Sequence, residues 1–101
     1  MRFLAKVSFP HGPFNDHVKD GSINAKIMGI LNELKPEAAY FTEMNGKRTA
    51  FFIFHIDEAS QMPGIAEPFF ITFGADFEWH PTMMPEDFAK ANLEDIGKKF
   101  G

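Results

Sequence analysis

Apolar and polar residues alternate along the first stretch of the chain, residues 2–9, whose apolar positions are Phe3, Ala5, Val7 and Phe9. Strict alternation predicts a strand with one apolar and one mixed face, because successive strand side chains point to opposite faces. The two prolines and the glycine in residues 10–13 cannot continue a ladder of backbone hydrogen bonds. We therefore expect this strand to end at Phe9.

A hairpin is the strongest local prediction, because Asn45-Gly46 separates two runs of β-branched and aromatic residues, 38–44 and 47–57. Both turn residues tolerate the positive φ of a type I′ turn. A two-residue loop pairs Tyr40 with Phe51. One face then carries Ala39, Phe41, Phe52, Phe54 and Ile56, and the other carries Tyr40, Thr42, Phe51, Ile53, His55 and Asp57. Since both faces are largely apolar, both are expected to be covered.

Helical spacing follows the first strand, with apolar positions at Ile23, Ile27, Ile30, Leu31 and Leu34. The pattern predicts a helix from about 14 to 34, with either a weak first turn or a separate short helix before Ser22. Ser22 is a candidate N-cap for a helix that begins at Ile23. Lys35-Pro36 should close this element, because the residue before a proline is disfavoured in the α region.

Three more elements follow the hairpin. Pro63 suits a first helical turn, and apolar spacing predicts a short helix that ends at Gly74. Alternation in residues 75–82 predicts a fourth strand. Residues 85–100 are predicted as one last helix, acidic at its start and basic at its end as the helix dipole favours. Its apolar stripe should cover a sheet edge or a partner subunit.

The order strand, helix, strand, strand, helix, strand, helix predicts an α+β ferredoxin-like βαββαβ antiparallel sheet with helices on one face plus a C-terminal helix. Three segments carry a family resemblance: Lys35-Pro-Glu-Ala-Ala-Tyr-Phe, Glu67-Pro-Phe-Phe and Phe77-Glu-Trp-His-Pro-Thr-Met. With these segments the chain resembles the dimeric α+β barrel superfamily, in particular its small muconolactone isomerase-like and YCII-like members. The resemblance implies a homodimer in which two open sheet faces enclose a cavity. Its motifs are structural, so it transfers no catalytic residue.

Composition narrows the function classes. The 101 residues suit a single domain, 1–101, and 45% are hydrophobic, including thirteen phenylalanines, which is more than one small monomer readily hides. A net charge of −4 without a long basic run argues against nucleic-acid binding. The chain has no cysteine and no apolar stretch of membrane length, so we expect neither disulfides nor membrane insertion. A cytoplasmic protein is the default expectation.

Parity along the strands selects candidate residues for the cavity. The side opposite the helices should present His55, Lys6, Ser8, Tyr40, Glu78, His80, Phe51 and Ile53, together with Leu4 and Thr42. A mostly apolar wall with a few polar groups is typical of a small-molecule site. His55 is either a hydrogen-bonded core histidine or a proton-transfer group, and Lys6 with Glu78 is either a structural ion pair or part of the chemistry. Glu43 opposite Arg48 is predicted as a cross-strand pair.

Neither metal nor cofactor is predicted, because His11 with His17 and His55 with His80 lack the local spacing of a zinc site. Two function classes remain. The first is a binding or accessory homodimer whose cavity holds a small apolar or aromatic molecule or is filled by side chains. The alternative is a small isomerase or cofactor-free monooxygenase that acts on an aromatic or lactone substrate, with His55, His80 or Glu78 as acid or base.

Overall fold

The computed structural model describes residues 1–101 and contains one four-stranded sheet with spatial order β2-β3-β1-β4. The strands are β1 (Arg2–Phe9), β2 (Ala38–Met44), β3 (Lys47–His55) and β4 (Asp76–Pro81), and the helices are α1 (His11–Lys19), α2 (Ile23–Leu34), α3 (Met62–Phe73), α4 (Pro85–Lys90) and α5 (Leu93–Phe100). All neighbouring strands are antiparallel. This arrangement confirms the predicted ferredoxin-like fold class.

The hairpin between β2 and β3 has the predicted register, with Tyr40 opposite Phe51 and Ala39 opposite Phe52. Asn45 and Gly46 both have positive φ, 56° and 78°, as a type I′ turn requires. Because the turn fixes the pairing, it also fixes which side chains share a face.

The hydrophobic core lies between α1–α3 and one face of the sheet, which we call the closed face. Its central side chains are 3% exposed or less: Ala5, Val7, Phe9, Ala50, Phe52 and Phe54. Phe69 and Phe73 of α3 are fully buried against them, with ring centroids 5.3 Å from Phe52 and 5.1 Å from Phe9, respectively. The parity predicted for β1 and β3 is therefore confirmed. Phe41 is 52% exposed because it lies on the edge strand β2 near the hairpin end.

The region between β1 and β2 forms two helices. The strand ends at Phe9 as predicted, but residues 11–13 begin α1 instead of forming a loop. Pro13 is tolerated there because the first helical turn needs no N–H donors. As predicted, α2 begins at Ile23 with Ser22 as its N-cap residue. The Ser22 side chain makes no capping hydrogen bond, and its hydroxyl lies 3.1 Å from His17 Nδ1 instead.

The predicted pair between Glu43 and Arg48 is wrong, although the two residues do lie opposite each other. Arg48 donates from Nη1 to Asn15 Oδ1 at 2.9 Å, and its guanidinium lies 4.4 Å from the centroid of the Phe14 ring. Glu43 accepts a hydrogen bond from the Gly46 N–H at 3.1 Å. The Arg48 side chain therefore packs on α1, where Asn15 accepts its hydrogen bond and Phe14 provides an aromatic surface, and it does not extend toward Glu43.

The predicted last helix is divided into α4 and α5 at Asn92, whose φ is 54°. Asparagine adopts this left-handed conformation more readily than most residues, which explains a break there. We call residues 85–101 the C-terminal arm. All of its residues are exposed, and neither helix packs extensively on the sheet or on α1–α3. The radius of gyration is 17.1 Å, against about 13 Å for a compact chain of this length, because the arm extends from the body.

Candidate functional site

The sheet surface turned away from the helices, which we call the open face, carries side chains in cross-strand rows. Tyr40, Phe51, Lys6 and Glu78 form one row, and Ala38, Ile53, Leu4 and His80 form the next. Neighbouring strands lie about 4.8 Å apart, so each four-residue row spans roughly 14 Å. The rows bring six of the eight predicted site residues onto adjacent positions of one surface: Lys6, Tyr40, Phe51, Ile53, Glu78 and His80.

Three polar side chains on this surface form a connected group at the β1–β4 side. Lys6 Nζ lies 3.7 Å from Glu78 Oε2, and His80 Nε2 lies 3.2 Å from Glu78 Oε1. The contact between Lys6 and Glu78 is the neighbouring-strand ion pair that was one of the two alternatives for these residues. Lys6 is the most covered of the three, with 26% of its side chain exposed. We call these residues the Lys–Glu–His group.

The geometry sets what the imidazole of His80 can do. Nε2 faces an anionic carboxylate oxygen, so the hydrogen bond requires a proton on Nε2. In a neutral ring the other nitrogen, Nδ1, then carries the free lone pair. His80 can accept a proton at Nδ1 while Glu78 stabilises the cation that forms.

The β2–β3 side of the open face is the apolar wall of the candidate site. Leu4, Phe51 and Ile53 are partly exposed, and Tyr40 at the edge is 68% exposed. By contrast, the closed-face residues Ala5, Val7, Phe52 and Phe54 of β1 and β3 are almost completely covered. An aromatic and aliphatic surface beside a charged group thus remains uncovered in the protomer.

His55 lies on the predicted face, but at the end of the sheet. It faces Arg2 across the β1–β3 pair, one row beyond Ile53. Its Nε2 lies 3.3 Å from Asp57 Oδ1 and 3.5 Å from the Met1 amino group, and 47% of its side chain is exposed. With this exposure His55 is not a core residue of the protomer. A shallow pocket of about 400 Å³ at this end is lined by Met1, Arg2, His55, Thr82, Met83, Met84 and Asp87.

Ser8 lies at the opposite end of the open face, paired with Thr49 and Asp76. It is one row beyond Lys6, so it flanks the Lys–Glu–His group from the side away from His80.

Arg2 is a charged residue of the open face that is not among the predicted site residues. Its Nε donates to Glu37 Oε2 at 2.9 Å, and that hydrogen bond and the charge of Glu37 raise the pKa of Arg2 above its ordinary value. The alternation in β1 already placed Arg2 on the same face as Lys6, and this parity was the available signal. His17 is a structural residue, because its Nε2 donates to the Thr72 carbonyl at 3.1 Å and ties α1 to α3.

Comparison with known proteins gives a likeness in structure. The chain is similar to 5-chloro-2-hydroxyhydroquinone dehydrochlorinase (TftG) from Burkholderia phenoliruptrix AC1100, solved in complex with 2,5-dihydroxybenzoquinone. The TM-score is 0.58 at 16% identity, over 86% of this chain and 98% of that chain. No family model and no curated protein matches the sequence. At this identity the likeness shows the fold alone, the ferredoxin-like α+β barrel fold.

None of the helices is both long and apolar enough to cross a membrane.

Proposed function

We propose that the chain forms a homodimer through the open face and binds a small, largely apolar or aromatic ligand in the space between the two sheets. The observation that carries this proposal is the contrast between the two sheet faces. The closed face is covered by helices, whereas the open face leaves aromatic and aliphatic side chains in contact with solvent beside one charged group. A second copy of the same face would remove that surface from water.

The Lys–Glu–His group supports a ligand with a polar or acidic substituent. Apolar pockets gain orientation and specificity from a few placed polar groups. Lys6 is held by Glu78 and is better covered than its partner, so it can present a fixed cation to a ligand that lies on Phe51. TftG, which shares the fold, is described in complex with a planar quinone, and this supports an aromatic ring as the apolar part.

A binding experiment tests this proposal directly. The full-length protein is titrated with a panel of aromatic acids, lactones and 2,5-dihydroxybenzoquinone, and amide and side-chain NMR shifts are followed. We expect at least one compound to shift resonances of Lys6, Phe51 and His80 together. If the protein is a dimer but no compound shifts its open-face resonances, the ligand part of the proposal is contradicted. If the protein is a stable monomer, the whole proposal is contradicted.

Matched variants separate a specific ligand contact from a general loss of charge. Lys6→Met keeps the length of the side chain and removes its ammonium group, and Lys26→Met makes the same change on the exposed surface of α2. We expect at least a tenfold weaker affinity for Lys6→Met and none of this loss for Lys26→Met. Equal affinities for both variants would show that Lys6 takes no part in binding.

A second candidate function is a small isomerase, favoured by the 3.2 Å contact between His80 and Glu78 on the same surface. In this reaction His80 Nδ1 takes a proton from one ligand atom and returns it to another atom of the same ligand. Substrate and product are then isomers, and no oxidant or reductant is consumed. The name of TftG describes an enzyme of this fold that acts on a ring compound, and this supports the isomerase candidate.

Variants of the imidazoles distinguish these two functions. His80→Phe keeps the approximate shape and removes the proton acceptor, so an isomerase should lose turnover while retaining ligand affinity. His55→Phe is the corresponding change at the end of the sheet. If His55→Phe leaves affinity and turnover intact, His55 is structural. If it abolishes either of them, the ligand extends to the sheet end.

A further inference from the structure

We propose that the C-terminal arm of each protomer packs on the partner copy in the dimer, so that each subunit helps to cover the other. This inference rests on the homodimer proposed above and adds a second interface to it. It concerns the apolar residues of the arm, which are not buried by any contact within the protomer.

The arm has an apolar surface that its own chain leaves uncovered. Phe88 of α4 is 55% exposed, and the three apolar residues of α5, Leu93, Ile96 and Phe100, are 51%, 47% and 77% exposed. At 100° per residue the three α5 side chains fall on one side of the helix, while Asp95 and Lys98 lie on the other side. The α5 helix is therefore amphipathic, with one apolar side suited to packing on a protein surface and one charged side suited to solvent.

A helix this short needs a packing surface. The eight residues of α5 are well below the length at which an isolated helix is stable in water. Its acidic start and basic end favour the helix by only about 0.3–1 kcal/mol for each charge. Packing against another surface must supply the rest.

The body of the same protomer does not provide that surface. The protomer measures 59 × 29 × 19 Å, and its long axis reflects the arm extending from the sheet. Neither α4 nor α5 has extensive contact with the core elements. The apolar stripe is thus free to meet a different molecule.

The position at which the arm leaves the body indicates a second copy of this chain. The segment after β4 is fixed beside β1, where the Thr82 N–H donates to the Arg2 carbonyl at 3.1 Å. Met84 and Asp87 line the same shallow pocket as Arg2 and His55, which belong to the open face. The arm therefore starts at the open-face side of the sheet end, where the partner approaches in the proposed dimer.

Symmetry then makes the arrangement self-complementary. One chain carries two uncovered apolar surfaces, the open face and the arm, and neither covers the other within the protomer. In a two-fold dimer the arm of each copy can lie on the other copy, so both surfaces are covered without any further partner.

The first test uses sedimentation equilibrium of full-length variants. Ile96→Glu places a charge in the apolar stripe, and Lys98→Gln on the opposite side of α5 is the matched control, because each substitution changes the net charge by −1. We expect at least a tenfold increase in the dimer Kd for Ile96→Glu and no change for Lys98→Gln. An unchanged Kd for Ile96→Glu would overturn the arm proposal while leaving the face-to-face dimer in place, whereas a monomeric wild-type protein would overturn both.

The second test asks which copy the arm contacts. The chain has no cysteine, so Lys99→Cys provides a single attachment point for a photo-cross-linker at the border of the stripe. Labelled protein is mixed at one part to nine with cysteine-free protein that is uniformly enriched in ¹⁵N, and cross-linked peptides are identified by mass spectrometry. Cross-links mainly to ¹⁵N peptides are expected. Cross-links confined to unenriched peptides would show that the arm folds back on its own protomer, and the proposal would fail.

Discussion

The open face can be tested by placing a charge at its centre. Ile53 lies on β3, one of the two central strands, next to Leu4 on β1 and Ala38 on β2. Ile53→Lys keeps a long aliphatic stem but brings an ammonium group to the surface where the partner should pack. We expect the dimer to weaken while the protomer stays folded, because the substituted side chain points away from the core.

The size of the effect follows from the area that remains to be covered. Burying a complete isoleucine side chain stabilises by about 1.5–3 kcal/mol. Ile53 is already partly covered in the protomer, so we assign about a third of that value to the interface, and two-fold symmetry counts it twice. The sum is about 1–2 kcal/mol, or roughly a 5- to 30-fold increase in Kd. The unpaired ammonium group adds a desolvation cost, so the upper part of this range is expected.

Analytical ultracentrifugation over a concentration series measures the dimer Kd, and circular dichroism checks that the variant is folded. Met28→Lys is the matched control, since it introduces the same charge at a 52% exposed methionine on the outer side of the helix layer. A Kd that is the same for wild type and Ile53→Lys would refute the open face as the interface. Equal weakening by Ile53→Lys and Met28→Lys would refute it as well, because the effect would then come from net charge.

Three further outcomes are expected. Gly46→Ala should destabilise the protein by about 1 kcal/mol in chemical denaturation, because Gly46 has a positive φ of 78°. Gly29→Ala inside α2 should instead stabilise it, because a methyl group there meets no other atom. A change in unfolding free energy of the same sign for both variants would contradict the assigned turn. Hydrogen bonds from the Ser22 side chain and then its backbone lower the pKa of Asp20, so Asp20→Asn should reduce stability at neutral pH, and the difference should vanish as the pH falls below the ordinary value of 3.8. A pH-independent difference would rule out that assignment. Deleting residues 86–101 should lower the dimer affinity or the Tm, and no change in either would contradict a packing role for the arm.

The sheet could be predicted from the sequence because short local features, a two-residue turn and the alternation of apolar residues, determine its pairing and its faces. One turn of two residues fixes the pairing of β2 with β3, and a period of two then assigns every side chain to a face. The same rule placed Lys6, Glu78 and His80 on one surface, since β1 and β4 are neighbours in the predicted topology. That placement makes an ion pair of Lys6 with Glu78 possible, and the structure contains it.

The position of a residue along its strand was harder to predict than its face. Alternation correctly put His55 on the side of Phe51 and Ile53, but it does not show where the apolar wall ends. The neighbours that define the environment of His55, the Met1 amino group and Asp57, come from the start of the chain and from the loop after β3. Alternation also does not show that a residue on another element competes for the same side chain. It therefore predicts a pair of Arg48 with Glu43, whereas in the structure Arg48 donates to Asn15.

The distribution of aromatic residues connects the protomer to its assembly. Of the thirteen phenylalanines, five are almost fully buried in the core, while Phe41, Phe70, Phe88 and Phe100 are between 40% and 77% exposed. A dimer that joined only the two open faces would leave Phe88 and Phe100 in water, since these residues belong to the arm. If each arm packs on the partner, Phe88 and Phe100 are covered as well. The same two-fold dimer then buries both the open face and the apolar stripe of the arm.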